Sequence, residues 1–141
     1  MISYFDTSAV IPLIIGEAST DRCNRIWNES SRIMCARLLY PEARAALARA
    51  HRVGRLDESQ LRSAVAELDS IVTEIDHIEV TVTITQAAGD MAETHGLRGS
   101  EAVHLAAAAT VADGDLVLVT GDADLAAAGE ATGLAVVRTS A

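Results

Sequence analysis

Ile2-Ser3-Tyr4-Phe5-Asp6-Thr7-Ser8 decides the fold of this 141-residue chain. An apolar run too short for a helix ends in a carboxylate and two hydroxyls, then passes directly into Ala9-Val10-Ile11. That is the pattern of a buried strand followed by a helix start. Asp6 then lies at the C-terminal rim of a central strand, where open α/β sheets gather their sites. A carboxylate so near a buried strand must be hydrogen-bonded, neutralised or bound to a cation, because burying an unpaired charge is strongly unfavourable.

Outward from this stretch, strand and helix signals alternate. Ser8 caps a short helix from Ala9 to about Ile15 with Pro12 near its first turn, and Ser19 or Thr20 opens a helix to Glu29. Arg32 to Ala36 reads as a second strand and Leu39 to Val53 as a helix stopped by Gly54. Asp57 and Gln60 form a capping box for a helix to about Thr73. Ile78 to Val82 gives a third strand, and Thr83 with Gln86 caps a helix ending at His95-Gly96. Ser100 caps Glu101 to about Ala112, Leu116 to Val119 is a fourth, fully apolar strand, and Asp122 to Ala131 is helical. Gly133 breaks that helix before a last strand at Ala135 to Val137. Strands alternating with helices, with no tight hairpin between them, give a three-layer α/β/α fold around a mostly parallel sheet of about five strands.

Half of the residues are hydrophobic, which suits one compact domain over residues 1–141. Cys23 and Cys35 lack metal-ligand spacing, and no secretory leader precedes the first strand, so buried free thiols in a reduced, cytoplasmic protein are expected. The apolar stretch Ala102 to Ala112 is far shorter than the roughly 20 residues of a membrane span. A net charge of −9 argues against a nucleic-acid partner when taken alone. Its distribution argues otherwise. Nine arginines against four acids fall between Arg22 and Arg62, whereas the segment from Ser63 onward holds two arginines against thirteen acids. All eleven basic residues are arginine, so chemistry that needs a lysine is excluded.

Asp6 ends the first strand and Asp122 follows the fourth, in Val119-Thr120-Gly121-Asp122-Ala123-Asp124. In a sheet whose order reverses beside the first strand, these two rims are neighbours. Glu42 and Glu101, each in the first turn of its helix, can reach the same crevice. Converging carboxylates need a cation or shared protons. An oxygen-only donor set favours Mg²⁺ or Mn²⁺, whose matching chemistry is phosphodiester hydrolysis by an activated water.

Asp6-Thr7-Ser8, Pro41-Glu42-Ala43, Leu97-Arg98-Gly99-Ser100-Glu101-Ala102-Val103-His104-Leu105-Ala106 and Val119-Thr120-Gly121-Asp122-Ala123-Asp124-Leu125, in this order and spacing, resemble PIN domains. More narrowly, the chain is similar over essentially its whole length to VapC toxins of bacterial toxin–antitoxin pairs. The resemblance implies a Mg²⁺- or Mn²⁺-dependent endoribonuclease that cuts tRNA or ribosomal RNA, is usually dimeric, and is held inactive by a small VapB-like antitoxin. It places Asp6, Glu42 and Asp122 on the family's acidic positions, with Ser8 and Thr120 as supporting hydroxyls; with Glu101 these three are the candidate catalytic acids, and Asp6, Glu101, Asp122 and Asp124 are the candidate metal ligands. Glu101 departs from the pattern, which usually has Asp there. Its extra methylene has to fold back or displace a metal, and Asp124 compensates if it turns inward.

Blander roles stand beside these. Asp6 and Asp122 also suit helix caps, while Glu42 and Asp124 suit first-turn acids facing solvent. His104 lies one turn past Glu101 and reads as a packed histidine that orients it rather than as a general base. His51, His77 and His95 look like surface or helix-end residues, and Trp27 and Tyr40 are expected to pack rather than stack on bases. Arg49 and Arg52 belong to a basic helical face and Arg98 adjoins the acids, so all three are candidate RNA contacts. The principal rival is a PIN-fold RNA- or antitoxin-binding module weakened by Glu101. A phosphoacceptor fold is the other, and the absence of lysine counts against it.

Overall fold

The computed structural model describes residues 1–140. Its centre is a five-stranded sheet: β1 (Ile2–Phe5), β2 (Arg32–Ala36), β3 (Asp76–Ile78), β4 (Leu116–Thr120) and β5 (Ala135–Arg138). The order is β3-β2-β1-β4-β5 and every pairing is parallel. Seven α-helices cover the sheet: α1 (Thr7–Val10), α2 (Thr20–Glu29), α3 (Leu39–Arg52), α4 (Glu58–Ile71), α5 (Val82–His95), α6 (Gly99–Thr110) and α7 (Ala123–Ala131). Parallel strands need crossovers, and the helices that supply them bury both faces of the sheet. Tyr4, Phe5, Leu118 and Val119 accordingly have no exposed surface.

β1 pairs with β2 on one side and β4 on the other, with Phe5 opposite Val119. The chain leaves β1 in one direction and returns beside it from the other, so the reversal point falls between the strands that carry Asp6 and Asp122. The sequence expectation for the sheet, parallel with about five strands, holds. Some boundaries differ. Pro12 lacks the N–H that an α-helix would use, and the first helix gives way to a 3-10 turn at Ile11–Leu13. The third strand is Asp76–Ile78 rather than Ile78–Val82: Val80 and Val82 are exposed, and Thr81, not Thr83, caps α5 by accepting from the Ile84 N–H at 3.2 Å. The Asp57–Gln60 capping box forms as expected.

Gly96 closes α5 in the left-handed region, φ 65°, which a side chain disfavours. This turn delivers Arg98, Gly99 and Glu101 to the rim beside β4. Cys23 and Cys35 are buried free thiols, and burial pushes both up in pKa. Trp27 packs edge-on against Phe5 at 5.5 Å, so its expected packing role holds. No helix among the described residues is long and apolar enough to cross a membrane.

Candidate active site

The backbone sets the site before any side chain does. Asp6 N–H donates to the Val119 carbonyl at 3.2 Å, extending the β1–β4 ladder by one rung. Asp6 is only 5% exposed. Burial pushes its carboxyl up in pKa and the nearby Asp122 charge adds to this, while the His104 charge and the Ser8 and Thr120 hydroxyls oppose it. Ser8 donates to Asp6 Oδ1 at 2.7 Å and accepts from the Gly121 N–H at 2.8 Å. Thr120 Oγ1 lies 3.3 Å from Ser8 Oγ and accepts from the Asp122 N–H at 3.0 Å. Both hydroxyls thus tie the end of β1 to the loop after β4. Gly121 permits the close fit, since a Cβ there would lie 2.9 Å from Thr139 Oγ1, a buried residue following β5.

Asp122 divides its carboxylate between two tasks. Oδ1 accepts from the Leu125 N–H at 2.8 Å and caps α7, while Oδ2 faces Arg98 Nη2 at 3.6 Å. Capping and a site role are therefore compatible. Glu101, Asp122 and the exposed Asp124 each bring a carboxylate oxygen within 4.8 Å of the others. Oxygens sharing a Mg²⁺ at about 2.1 Å lie at most about 4.2 Å apart, so a small contraction makes this all-oxygen set a fit for a hard divalent ion. Asp6, expected as a ligand, is not one of these three; it follows β1 and is tied to the loop that carries Asp122 through Ser8 and Thr120.

Glu42 sits apart from that triad, in the first turn of α3. Its Oε1 accepts from Thr7 Oγ1 at 2.8 Å and pairs with His104 Nε2 at 2.7 Å. Burial raises the Glu42 pKa, but the hydrogen bond and charge of His104 and the Thr7 hydroxyl outweigh it and leave the group lowered. An ionised carboxylate can only accept, so Nε2 is the donor. His104 Nδ1 lies 2.7 Å from Tyr4 Oη, which itself accepts from the Ala36 N–H at 3.1 Å. Ala36 N–H, Tyr4 Oη, His104 and Glu42 Oε1 thus form one continuous hydrogen-bonded path from β2 to α3.

This corrects the expectation for His104. It is buried as predicted, but it orients Glu42 and not Glu101, because Glu101 turns back toward its own helix start. Arg98, not Ser100, occupies the capping position of α6, and its N–H donates to Glu101 Oε2 at 3.2 Å. Arg98 Nε donates to Glu101 Oε1 at 2.8 Å, and Nη2 contacts the same oxygen. Sequence reasoning missed Tyr4 and Thr7. Tyr4 carried a signal, a phenol hydroxyl two residues before Asp6 and therefore on the same side of the strand. His77 lies inside β3 and is half-buried, with Nε2 on the Val72 carbonyl, so it is not the surface residue expected. Tyr40 donates to Asp69 at 2.7 Å rather than pointing at the site. Arg49 and Arg52 are exposed on the later turns of α3, the helix that starts at Glu42.

The family model described as the PIN domain matches residues 3–131. The chain belongs to the PIN-domain family. Within it the chain is VapC-like: it is 38% identical over 130 residues to Ribonuclease VapC45 of Mycobacterium tuberculosis, covering 92% of this chain and 90% of that protein. The fold also matches a solved M. tuberculosis VapC20, described as a sarcin-ricin loop cleaving toxin, with TM-score 0.72 at 20% identity over 96% of this chain and 98% of that one. A toxin-antitoxin complex from Klebsiella pneumoniae matches with TM-score 0.68 at 17% identity, covering 98% of both chains. The expected PIN membership and three-layer α/β/α fold thus hold.

Proposed function

We propose that this VapC-like PIN domain, a single domain over residues 1–141, is a Mg²⁺- or Mn²⁺-dependent endoribonuclease toxin acting on tRNA or ribosomal RNA. The observation that carries this is that Asp6 and Asp122 follow the C-terminal ends of adjacent strands, with the oxygens of Glu101, Asp122 and Asp124 within 4.8 Å of one another. Similarity to a mycobacterial VapC ribonuclease over nine-tenths of the chain supports the same reading.

Glu101, Asp122 and Asp124 would hold the ion, with Asp6 beside them at a position fixed by Ser8. A bound divalent ion supplies positive charge to the phosphate and makes an adjacent water more acidic. Glu42, whose Oε1 is held by Thr7 and His104, would keep its Oε2 for a water at the edge of the site. The new bond is water oxygen to phosphorus and the broken bond is phosphorus to a ribose oxygen, which leaves with a proton. No side chain becomes covalently attached. Arg49, Arg52 and Arg98 give the RNA backbone a cationic approach in a protein whose net charge is −9.

In this reading the chain works in the cytoplasm as a homodimer neutralised by a VapB-like antitoxin, as the resemblance to toxin–antitoxin pairs implies. The test is cleavage of total RNA with Mg²⁺, Mn²⁺ or chelator, comparing wild type with Asp6→Asn and mapping the ends. Metal-dependent cuts at discrete positions, absent in the variant, are expected. Cleavage that persists in chelator, or an Asp6→Asn protein as active as wild type, would overturn the proposal.

A further inference from the structure

We propose that Arg98 is a built-in counter-cation for the acid cluster, seated on Glu101 and beside Asp122 when no divalent ion is bound and displaced when one enters, so that it sets the affinity of the site for metal. This deepens the proposed function and rests on it. Arg98 Nε and Nη2 both donate to Glu101 Oε1, and a carboxylate oxygen has two lone pairs. That oxygen therefore has none left for a metal while the guanidinium is in place. The Arg98 backbone N–H takes one further position on Oε2. Nη2 also lies 3.6 Å from Asp122 Oδ2, so the guanidinium stands between two members of the triad whose oxygens come together.

Burial is asymmetric in a way that suits exchange. The Glu101 side chain is 8% exposed and Arg98 82%. The acid cannot leave the rim without opening α6, whereas the arginine reaches in from solvent and can withdraw without disturbing the core. The longer side chain of Glu101 contributes directly, since it lets the carboxylate turn back to the residue three positions before it. Exposed ion pairs are weak, but this one satisfies a buried carboxylate in the absence of any other cation.

The test is Mn²⁺ binding, followed by the paramagnetic signal of free Mn²⁺, for wild type, Arg98→Ala and Arg98→Lys at about 0.1 and about 0.5 M salt, where the Debye length is about 10 and about 4 Å. Far-ultraviolet circular dichroism checks that each variant is folded. Arg98→Ala should bind about tenfold more tightly, a change of about 1.4 kcal/mol. Arg98→Lys, which keeps the charge but loses the fork, should recover most of that gain, and the gain should survive high salt. In wild type, the ¹⁵N-edited signal of the Arg98 Nε–H, identified by its loss in Arg98→Ala, should move on saturation with diamagnetic Mg²⁺. Wild-type affinity in both variants, or an Nε–H signal unmoved by Mg²⁺, would overturn the inference while leaving the metal site standing. So would a gain confined to Arg98→Ala that vanishes at high salt, since that marks a diffuse charge effect. No Mn²⁺ binding by any of the three proteins would overturn the proposed function and this inference together.

Discussion

Tyr4→Phe removes one oxygen from a residue with no exposed surface. That oxygen accepts from the Ala36 N–H at 3.1 Å and meets His104 Nδ1 at 2.7 Å, so its loss leaves a backbone donor and an imidazole nitrogen, both buried, without partners. Each unsatisfied group costs about 1 to 3 kcal/mol, and the pair should lower stability by about 2 to 6 kcal/mol, the ring itself being kept. For a chain of this size an entropy of unfolding of about 0.3 kcal/mol/K converts that loss into a fall of about 7 to 20 °C in Tm. Thermal unfolding followed by circular dichroism, with urea titration as a second measure, reads it directly. His104 also loses the bond that fixes its tautomer and ring, so Glu42 is held less firmly and RNA cleavage should weaken in the folded variant. A Tm within 2 °C of wild type would refute the reasoning, because it would mean that the hydroxyl is not what satisfies these two groups.

The two buried-side acids should respond to pH in opposite senses. Asp6 has a raised carboxyl, chiefly through burial, so its ionisation lowers stability as pH rises from the ordinary aspartate range through the raised value; Asp6→Asn should therefore stabilise the protein at neutral pH in chelator and converge with wild type in acid. Glu42 is lowered by His104 and Thr7 against the opposing effect of burial, so its contribution is present above the ordinary glutamate range and is lost as pH falls through the lowered value. Glu42→Gln should be destabilising at neutral pH and harmless in acid, and parallel pH profiles for the two variants would contradict both assignments. Arg49→Ala with Arg52→Ala should weaken RNA binding and reduce the slope of log affinity against log salt by about 1.4, taking about 0.7 per single-strand phosphate contact; an unchanged slope would remove these residues from the RNA path. Gly96→Ala places a Cβ at φ 65° and should cost about 1 to 2 kcal/mol without altering Mn²⁺ affinity, as a urea titration beside the binding curve would show.

Much of this molecule is written locally. The Ile2–Phe5 run closed by Asp6, the all-apolar Leu116–Val119 and the helical periods between them are short-range patterns, and they were enough to place Asp6 and Asp122 on neighbouring strand ends. Strand three was misplaced because Val80 and Val82 look like sheet residues, yet burial belongs to position in the fold and not to residue type; both are exposed.

The sequence by itself determined a parallel sheet of about five strands with helices between them, because hydrophobic period and helix start signals act within a few residues. Only the tertiary structure decided who partners whom. Tyr4 meets His104 across 100 residues, His104 reaches Glu42 across 62, and Ser8 joins the Asp122 loop from 113 residues before Gly121. Hydrogen bonds fix direction and distance to tenths of an ångström, and that accuracy comes from packed strands and helices. It left Glu101 with Arg98 and gave His104 to Glu42, a choice between two carboxylates that no spacing along the chain could make.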